Sequence, residues 1–298
     1  MRVFVTGASG WIGSAVVPEL LAAGHTVLGL ARSEESAAAV VAAGAEPHRG
    51  SLDDLASLRA GAEASDAVVH LGFKHDFSDM AGAGRTERAV LETFGEALAG
   101  TGNPLLLAAG IAQLAPGRVL AETDPNPTSG ADAPRGGAEN LALSFADRGI
   151  RPVSLRFAPT VHGQGDHGFL ATIAGVARSR GVSAYIGDGT NRWPAVNRAD
   201  AAQLVRLALE QPGAGPIVHA VGEEGLTGRE IAEALGRALD LPVASVDPAE
   251  AGEHFGWIGA FFAVDMPASS ALTQERLGWT PSHPGLLADI EAGYYSAQ

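Results

Sequence analysis

The sequence predicts an α/β protein: a Rossmann-type, doubly wound parallel sheet with a small C-terminal lobe. Three observations predict it. Short apolar runs alternate with helical stretches from residue 2 to about residue 221, the order that builds parallel sheets. The first run is followed at once by three glycines at three-residue spacing and then by a helix. The chain has 298 residues and is 46% hydrophobic, enough for one large α/β domain with a real core and a lobe.

Arg2 to Thr6 is an apolar run bounded by polar residues and reads as a buried strand. Gly7, Gly10 and Gly13 follow, and Ser14 to Ala22 reads as a helix. Strand, glycine turn and helix is the geometry that holds a dinucleotide pyrophosphate. The glycines let the backbone turn sharply and approach the phosphates, and the helix start supplies unpaired N–H groups and a positive dipole end. Thr6, Gly7, Ser9, Gly10, Trp11, Ile12 and Gly13 are the candidate contacts. The second strand, His25 to Ala31, ends in Arg32-Ser33 with no acid. A carboxylate there would hydrogen-bond a ribose 2′-hydroxyl, whereas an arginine can pair with a 2′-phosphate. Arg32 and Ser33 therefore point to NADP(H), the alternative being a solvated Arg32.

Ser36 to Ala43 reads as a helix and Ala45 to His48 as a third strand. Gly50-Ser51-Leu52-Asp53 opens a helix, with Ser51 or Asp53 as N-cap. Asp66 to Phe73 is the fourth strand, in which His70 reads as a packed core residue. Lys74-His75-Asp76-Phe77 follows its carboxyl end, where open α/β sheets line their ligand crevice; a solvated loop is the other reading. Next come a helix from about 83 to 100 and a strand from Pro104 to Ala109. A loop over 115–134 is rich in Pro, Gly, Ser and acids, and it leads to a helix from Gly136 to Arg148 and a strand from Arg151 to Phe157.

Val5-Thr6 before Gly-x-x-Gly-x-x-Gly, and the tail Leu277-Gly278-Trp279-Thr280-Pro281, resemble the short-chain dehydrogenase/reductase superfamily. The likeness is to its extended and atypical branches, often labelled NAD-dependent epimerases/dehydratases, and runs over nearly the whole chain. The resemblance implies a nicotinamide dinucleotide cofactor. It sets the 50–53 turn against the adenine, with Leu52 and Asp53 as possible contacts, and Leu71-Gly72-Phe73 under the ribose. It makes Pro159-Thr160-Val161-His162-Gly163 the nicotinamide-side turn, adding Pro159 and Val161 to the cofactor contacts. It also implies a cofactor-binding core of about 1–160 plus 182–221, a substrate lobe of about 161–181 plus 222–298, and a possible homodimer.

The superfamily's proton machinery is a Ser, a Tyr and a Lys, the last two spaced Tyr-x-x-x-Lys; the Lys lowers the Tyr pKa so that the phenol can protonate a developing alkoxide. Counting back from Ala138-Glu139 puts Ala131 at the Tyr position and Arg135 at the Lys position, where Arg135 becomes a cofactor contact. The Ser position falls in Ala108-Ala109-Gly110. Lys74, the only lysine, has no tyrosine before it; Tyr185, Tyr294 and Tyr295 all come much later.

Hydride transfer itself needs a positioned nicotinamide and an electrophilic carbon. Without the tyrosine, either another acid donates the proton or the substrate already carries it, as a protonated imine does. Candidate acids are His162 and His75 first, with Lys74 beside them and Asp76 orienting a histidine or anchoring a substrate cation. Histidine titrates near neutral pH, while lysine would need desolvation or a cationic neighbour. His162, Asp166 and His167 lack a fixed ligand spacing, so no metal is expected.

Gly168 to Gly181 reads as a helix, Val182 to Ile186 as a strand and Gly187 to Pro194 as a loop holding Arg192 and Trp193. Trp193 could floor a pocket and Arg192 bind a carboxylate, or both could fix the loop. Ala199 to Glu210 is a helix and Gly215 to Val221 a strand. Thr227 and Glu230 have the capping-box spacing at the head of a helix to Leu239. The stripe over 248–266, with Trp257 at its centre, is core, a subunit contact or an apolar substrate wall.

The formal charge of −14 disfavours nucleic acid or an anionic membrane as partner. No cysteine is present, which excludes disulfides and thiol catalysis. No run reaches membrane-span length and the start lacks a signal-peptide pattern, so a cytoplasmic protein is expected. The leading expectation is an NADPH-dependent reductase of a C=N or C=O group on a mainly apolar small molecule. A non-catalytic NADP(H) sensor and a nucleotide-sugar epimerase or dehydratase are the alternatives.

Overall fold

Val3 and Val5 lie in one hydrophobic cluster while Phe4, between them, lies in another. Leu106 and its neighbours Leu105 and Leu107 divide the same way. Alternate side chains of a strand leave opposite faces, so each of these strands is buried on both sides. That is the signature of a parallel sheet covered by helices. The computed structural model describes residues 1–75, 79–112, 114–115 and 117–296.

In chain order the elements of the first half are β1 (Arg2–Thr6), α1 (Gly13–Ala22), β2 (Thr26–Ala31), α2 (Glu34–Ala42), β3 (Glu46–Arg49), α3 (Leu55–Glu63), β4 (Ala67–His70), α4 (Met80–Ala97), β5 (Pro104–Gly110), α5 (Ala138–Ser144) and β6 (Arg151–Phe157). The second half holds β7 (Thr160–His162), α6 (Phe169–Arg180), β8 (Ser183–Ile186), β9 (Arg192–Asn197), α7 (Arg198–Glu210), β10 (Ile217–Ala220), β11 (Glu223–Thr227), α8 (Gly228–Leu239), β12 (Val243–Val246), α9 (Ala251–Phe255), α10 (Gly259–Phe262), α11 (Ala271–Leu277) and α12 (Leu286–Glu291).

Seven strands form the main sheet in the order β10-β6-β5-β4-β1-β2-β3, all parallel. β1 lies between β2 and β4, so the chain winds outward both ways from it. The crevice at that switch point is where open α/β sheets bind ligands. α1 and α7 cover one face; α3, α4 and α5 cover the other.

The lobe has its own core, built on Leu170, Ile173, Ile186, Trp193, Ile231, Phe262 and Leu286. β9 pairs with β7 and β11, and β8 pairs with β12. Ser183–Ile186, expected in the cofactor-binding core, thus belongs to the lobe. The strands β7, β9, β11 and β12 lack the apolar runs that marked the others, since β9 carries Arg192, Pro194 and Asn197 and β11 opens on two glutamates, and the sequence reading did not find them. The capping box does form: Thr227 Oγ1 accepts from Glu230 N at 3.1 Å, and Thr227 N donates to Glu230 Oε2 at 2.8 Å.

The helix expected from Gly136 starts instead at Ala138. Arg135, Gly136 and Gly137 are all left-handed, with φ of 53°, 63° and 62°. A Cβ on Gly136 would meet the Gly84 carbonyl oxygen of α4 at 2.4 Å, so this turn lies too close to α4 for a side chain.

Candidate active site

The glycine turn is built for backbone proximity. Gly7 has φ +68°, and a Cβ there would lie 2.8 Å from Gly72 N. A Cβ on Gly13 would lie 2.0 Å from Gly7 O, so α1 starts this close to β1 only with glycine. Gly10 N donates to Gly7 O at 2.9 Å and closes the turn. Ser9 and Gly10 are exposed. Among the described residues, the N–H groups of Trp11 and Ile12 donate to no backbone or side-chain acceptor. Trp11 is braced on its far side: Nε1 donates to Val161 O at 2.7 Å, and the Arg198 guanidinium lies 4.1 Å from its ring centre. An open glycine turn with free N–H groups ahead of a helix fits a dinucleotide pyrophosphate.

On the β2 side, Arg32 is exposed at the strand end. Ser33 is the N-cap of α2, its Oγ accepting from Ser36 N at 3.1 Å. Its hydroxyl thus caps α2 at the exposed end of β2, beside Arg32. Arg49 reaches the same corner from β3, donating to Ser33 O at 3.2 Å and Glu34 Oε2 at 2.6 Å. The sequence reading missed it; parallel pairing of Ala31 with Arg49 is what brings it there. Leu52 lies against Gly72, whose Cβ would be 3.4 Å from Leu52 Cδ2. Asp54, not Ser51 or Asp53, caps α3, accepting from Ser57 N at 3.1 Å. Asp53 instead pairs with Lys74.

On the β4 side a chain of hydrogen bonds runs inward from the turn. Gly72 N donates to Thr6 Oγ1 at 3.0 Å, and Thr6 Oγ1 meets His70 Nδ1 at 2.6 Å. His70 Nε2 meets Glu87 Oε2 at 3.2 Å, and Arg135 Nη2 donates to Glu87 Oε1 at 3.0 Å. The Arg135 guanidinium lies 4.3 Å from the centre of the Phe73 ring, and His75 meets the same ring edge-on at 5.3 Å. Leu71, Gly72, Phe73, His75 and Arg135 are thus gathered at one corner of the crevice. Desolvation, and then the nearby Arg135 charge, hold His75 below the usual histidine range, so it is mostly neutral at neutral pH. Asp76 lies outside the described residues.

His162 does not line this corner. It is fully buried, its Nδ1 2.6 Å from Asp289 Oδ2 and its Nε2 3.8 Å from Glu223 Oε2. The preferred proton donor of the sequence reading is corrected here: β7 pairs with β9, and α12 covers the ring. Pro159 and Val161 flank it beside the Trp11 brace.

The lobe side is aromatic. Trp193 is 1% exposed, and its Nε1 donates to Val264 O at 3.2 Å. It supports the wall from behind rather than flooring a pocket. In front of it stand Phe261 at 5.1 Å and Phe169 at 6.4 Å between ring centres. Trp257, 58% exposed, meets Phe169 at 6.1 Å. Ala112, just past the carboxyl end of β5, packs against the core of the lobe. Arg192 is held by Asp265 through Nε at 3.0 Å and Nη2 at 2.9 Å.

A sequence model of the NAD-dependent epimerase/dehydratase family matches residues 3–222. The chain belongs to that family. An uncharacterised protein of Schizosaccharomyces pombe is 49% identical over 99% of this chain and 100% of its own. A 4-hydroxy-2-methyl-3-oxo-4-farnesyl-3,4-dihydroquinoline-1-oxide ketoreductase of Stigmatella aurantiaca is 29% identical over 73% of this chain and 67% of its own. The UDP-glucose 4-epimerase of Thermus thermophilus, solved with NAD, superposes with a TM-score of 0.73 at 22% identity, covering 100% of both chains. Within this epimerase/dehydratase family member, the position counted as the catalytic tyrosine is Ala131, an exposed residue, and the lysine position is the left-handed Arg135.

Proposed function

We propose that this epimerase/dehydratase family member is an NADP(H)-dependent reductase of a carbonyl group on a mainly apolar small molecule. The observation that carries the reading is the character of the lobe wall: Phe169, Trp257 and Phe261 are its rings, and its arginine is already neutralised by Asp265. Such a wall favours an uncharged apolar substrate over an anionic one. The ketoreductase of Stigmatella aurantiaca, whose substrate name carries a farnesyl group and an oxo group, supports the same class.

The N–H groups of Trp11 and Ile12 would hold the pyrophosphate, Arg32 the 2′-phosphate, and Arg135 the ribose next to the nicotinamide. When bound, that cofactor supplies hydride. The proton for a carbonyl oxygen would come from Lys74 or His75 at the end of β4. His75 held neutral is a weak acid at pH 7, which favours a second substrate class, iminium carbons that bring their own proton. The test is NADPH oxidation against apolar ketones, cyclic imines and nucleotide sugars. Turnover of ketones or imines with none of nucleotide sugars is expected; turnover of nucleotide sugars alone overturns the proposal, and tight NADPH binding with no oxidation assigns a sensor role instead.

A further inference from the structure

A buried carboxylate lies on α4 where the proposed chemistry does not use it. Ala83, Gly84, Glu87, Val90, Leu91 and Phe94 form the buried stripe of this helix, and Glu87 is the one charged group in it, 2% exposed. An unpaired carboxylate there would be costly. Its two oxygens are divided: Oε2 faces His70 and Oε1 accepts from Arg135. Thr6 Oγ1 accepts from Gly72 N and meets His70 Nδ1, and His70 Nε2 donates to Glu87. Burial alone would raise the Glu87 carboxyl, but His70 and then Arg135 outweigh it and hold Glu87 below the usual carboxylate range.

Arg135 is held from two further directions. Its guanidinium stacks on Phe73, and its backbone is left-handed, a conformation disfavoured for a residue with a side chain. A strained backbone at the mouth of the crevice persists only where its surroundings over-determine it. Here they are Glu87, Phe73 and the close approach of Gly136 to Gly84.

We infer that Glu87, backed by His70 and Thr6, is a positioning residue that fixes the Arg135 guanidinium at the cofactor side of the crevice, joining it to the glycine turn through one hydrogen-bonded chain. This rests on the reading that Arg135 contacts the cofactor. The consequence is that cofactor affinity depends on a carboxylate that itself touches no cofactor atom.

A double-mutant cycle on dinucleotide binding tests it. Dissociation constants are measured by calorimetry for wild type, Glu87→Gln, Arg135→Ala and the double variant, using whichever of NADPH and NADH binds wild type tighter. Each single change is expected to weaken binding about tenfold, and the double variant to be no weaker than Arg135→Ala. Additive losses, or wild-type affinity in Glu87→Gln beside a weakened Arg135→Ala, overturn the inference and leave the cofactor role of Arg135 standing. Wild-type affinity in Arg135→Ala overturns that role, and the inference with it. Should Glu87→Gln fail to fold, Glu87→Asp keeps the charge and retracts it by one methylene. An intermediate loss that vanishes in the Arg135→Ala background supports the inference, and a loss that persists there overturns it.

Discussion

Asp265 holds Arg192 at three points: the backbone N–H at 2.8 Å, Nε at 3.0 Å and Nη2 at 2.9 Å. The guanidinium is partly exposed, but its charge is paired within the protein. Uridine diphosphate is therefore expected to bind wild type more weakly than about 1 mM. Asp265→Asn frees the cation and should tighten that binding roughly tenfold. Calorimetry reads both values; tight binding to wild type would reopen the nucleotide-sugar reading.

Two tryptophans of one cluster should behave differently. Trp193 is enclosed, and Trp193→Ala should destabilise the protein by about 3–5 kcal/mol through the cavity it leaves. Trp257 is exposed, and Trp257→Ala should change stability by only about 0.5 kcal/mol. If it lines the substrate wall, KM for an apolar ketone should rise in Trp257→Ala. Denaturant melts and steady-state kinetics separate the two effects.

Arg32 is expected to distinguish the two nicotinamide dinucleotides. Arg32→Ala should weaken NADPH by tenfold to a hundredfold, roughly the worth of charge-assisted phosphate hydrogen bonds, and leave NADH nearly unchanged. Equal weakening would place the 2′-phosphate elsewhere, with Arg49 the next residue to replace.

Gly136→Ala meets both a left-handed backbone and the Gly84 carbonyl oxygen, whereas Gly181→Ala, at φ +69°, meets nothing within 4 Å. The second should cost about 1–2 kcal/mol from conformation alone. The first should cost more and also lower dinucleotide affinity, because it displaces Arg135. Equal midpoints in urea would mean that the turn can move off α4.

Stability should fall as pH drops below about 6.5. His75, His219 and His254 are all held below the ordinary histidine value of about 6.5 in the folded protein, each chiefly because burial disfavours the charged ring. The unfolded chain therefore takes up protons first. Their contribution is intact above pH 6.5 and is lost as pH falls toward the folded values. His219 is the most enclosed, donating from Nδ1 to Ser269 O at 2.7 Å with Arg156 at 3.5 Å. Melting temperature measured between pH 8 and 5 should flatten in His219→Gln, even if that variant starts lower; a slope as steep as wild type removes His219 as its source.

Much of this protein was legible in its sequence because the signals are local. A five-residue apolar strand, glycines at fixed spacing and the Thr227–Glu230 pair each act within one or two turns of chain, and the structure reproduces all three. The sheet order follows from that alternation and from the right-handed crossovers that parallel strands require. Even Glu87 left a trace, one acid in an apolar stripe at helical spacing. Its partner did not, because Arg135 lies 48 residues away. His162 and Asp289 are 127 residues apart, and Arg192 and Asp265 are 73 apart. A histidine becomes a core residue, and an arginine a neutralised one, only when distant segments pack together. The sequence by itself therefore determined the strand, glycine turn and helix at the start of the chain and the absence of any Tyr-x-x-x-Lys pair. Tertiary packing decided which of the remaining charged groups face the crevice, since burial and pairing are set by contacts between elements and not by neighbours along the chain.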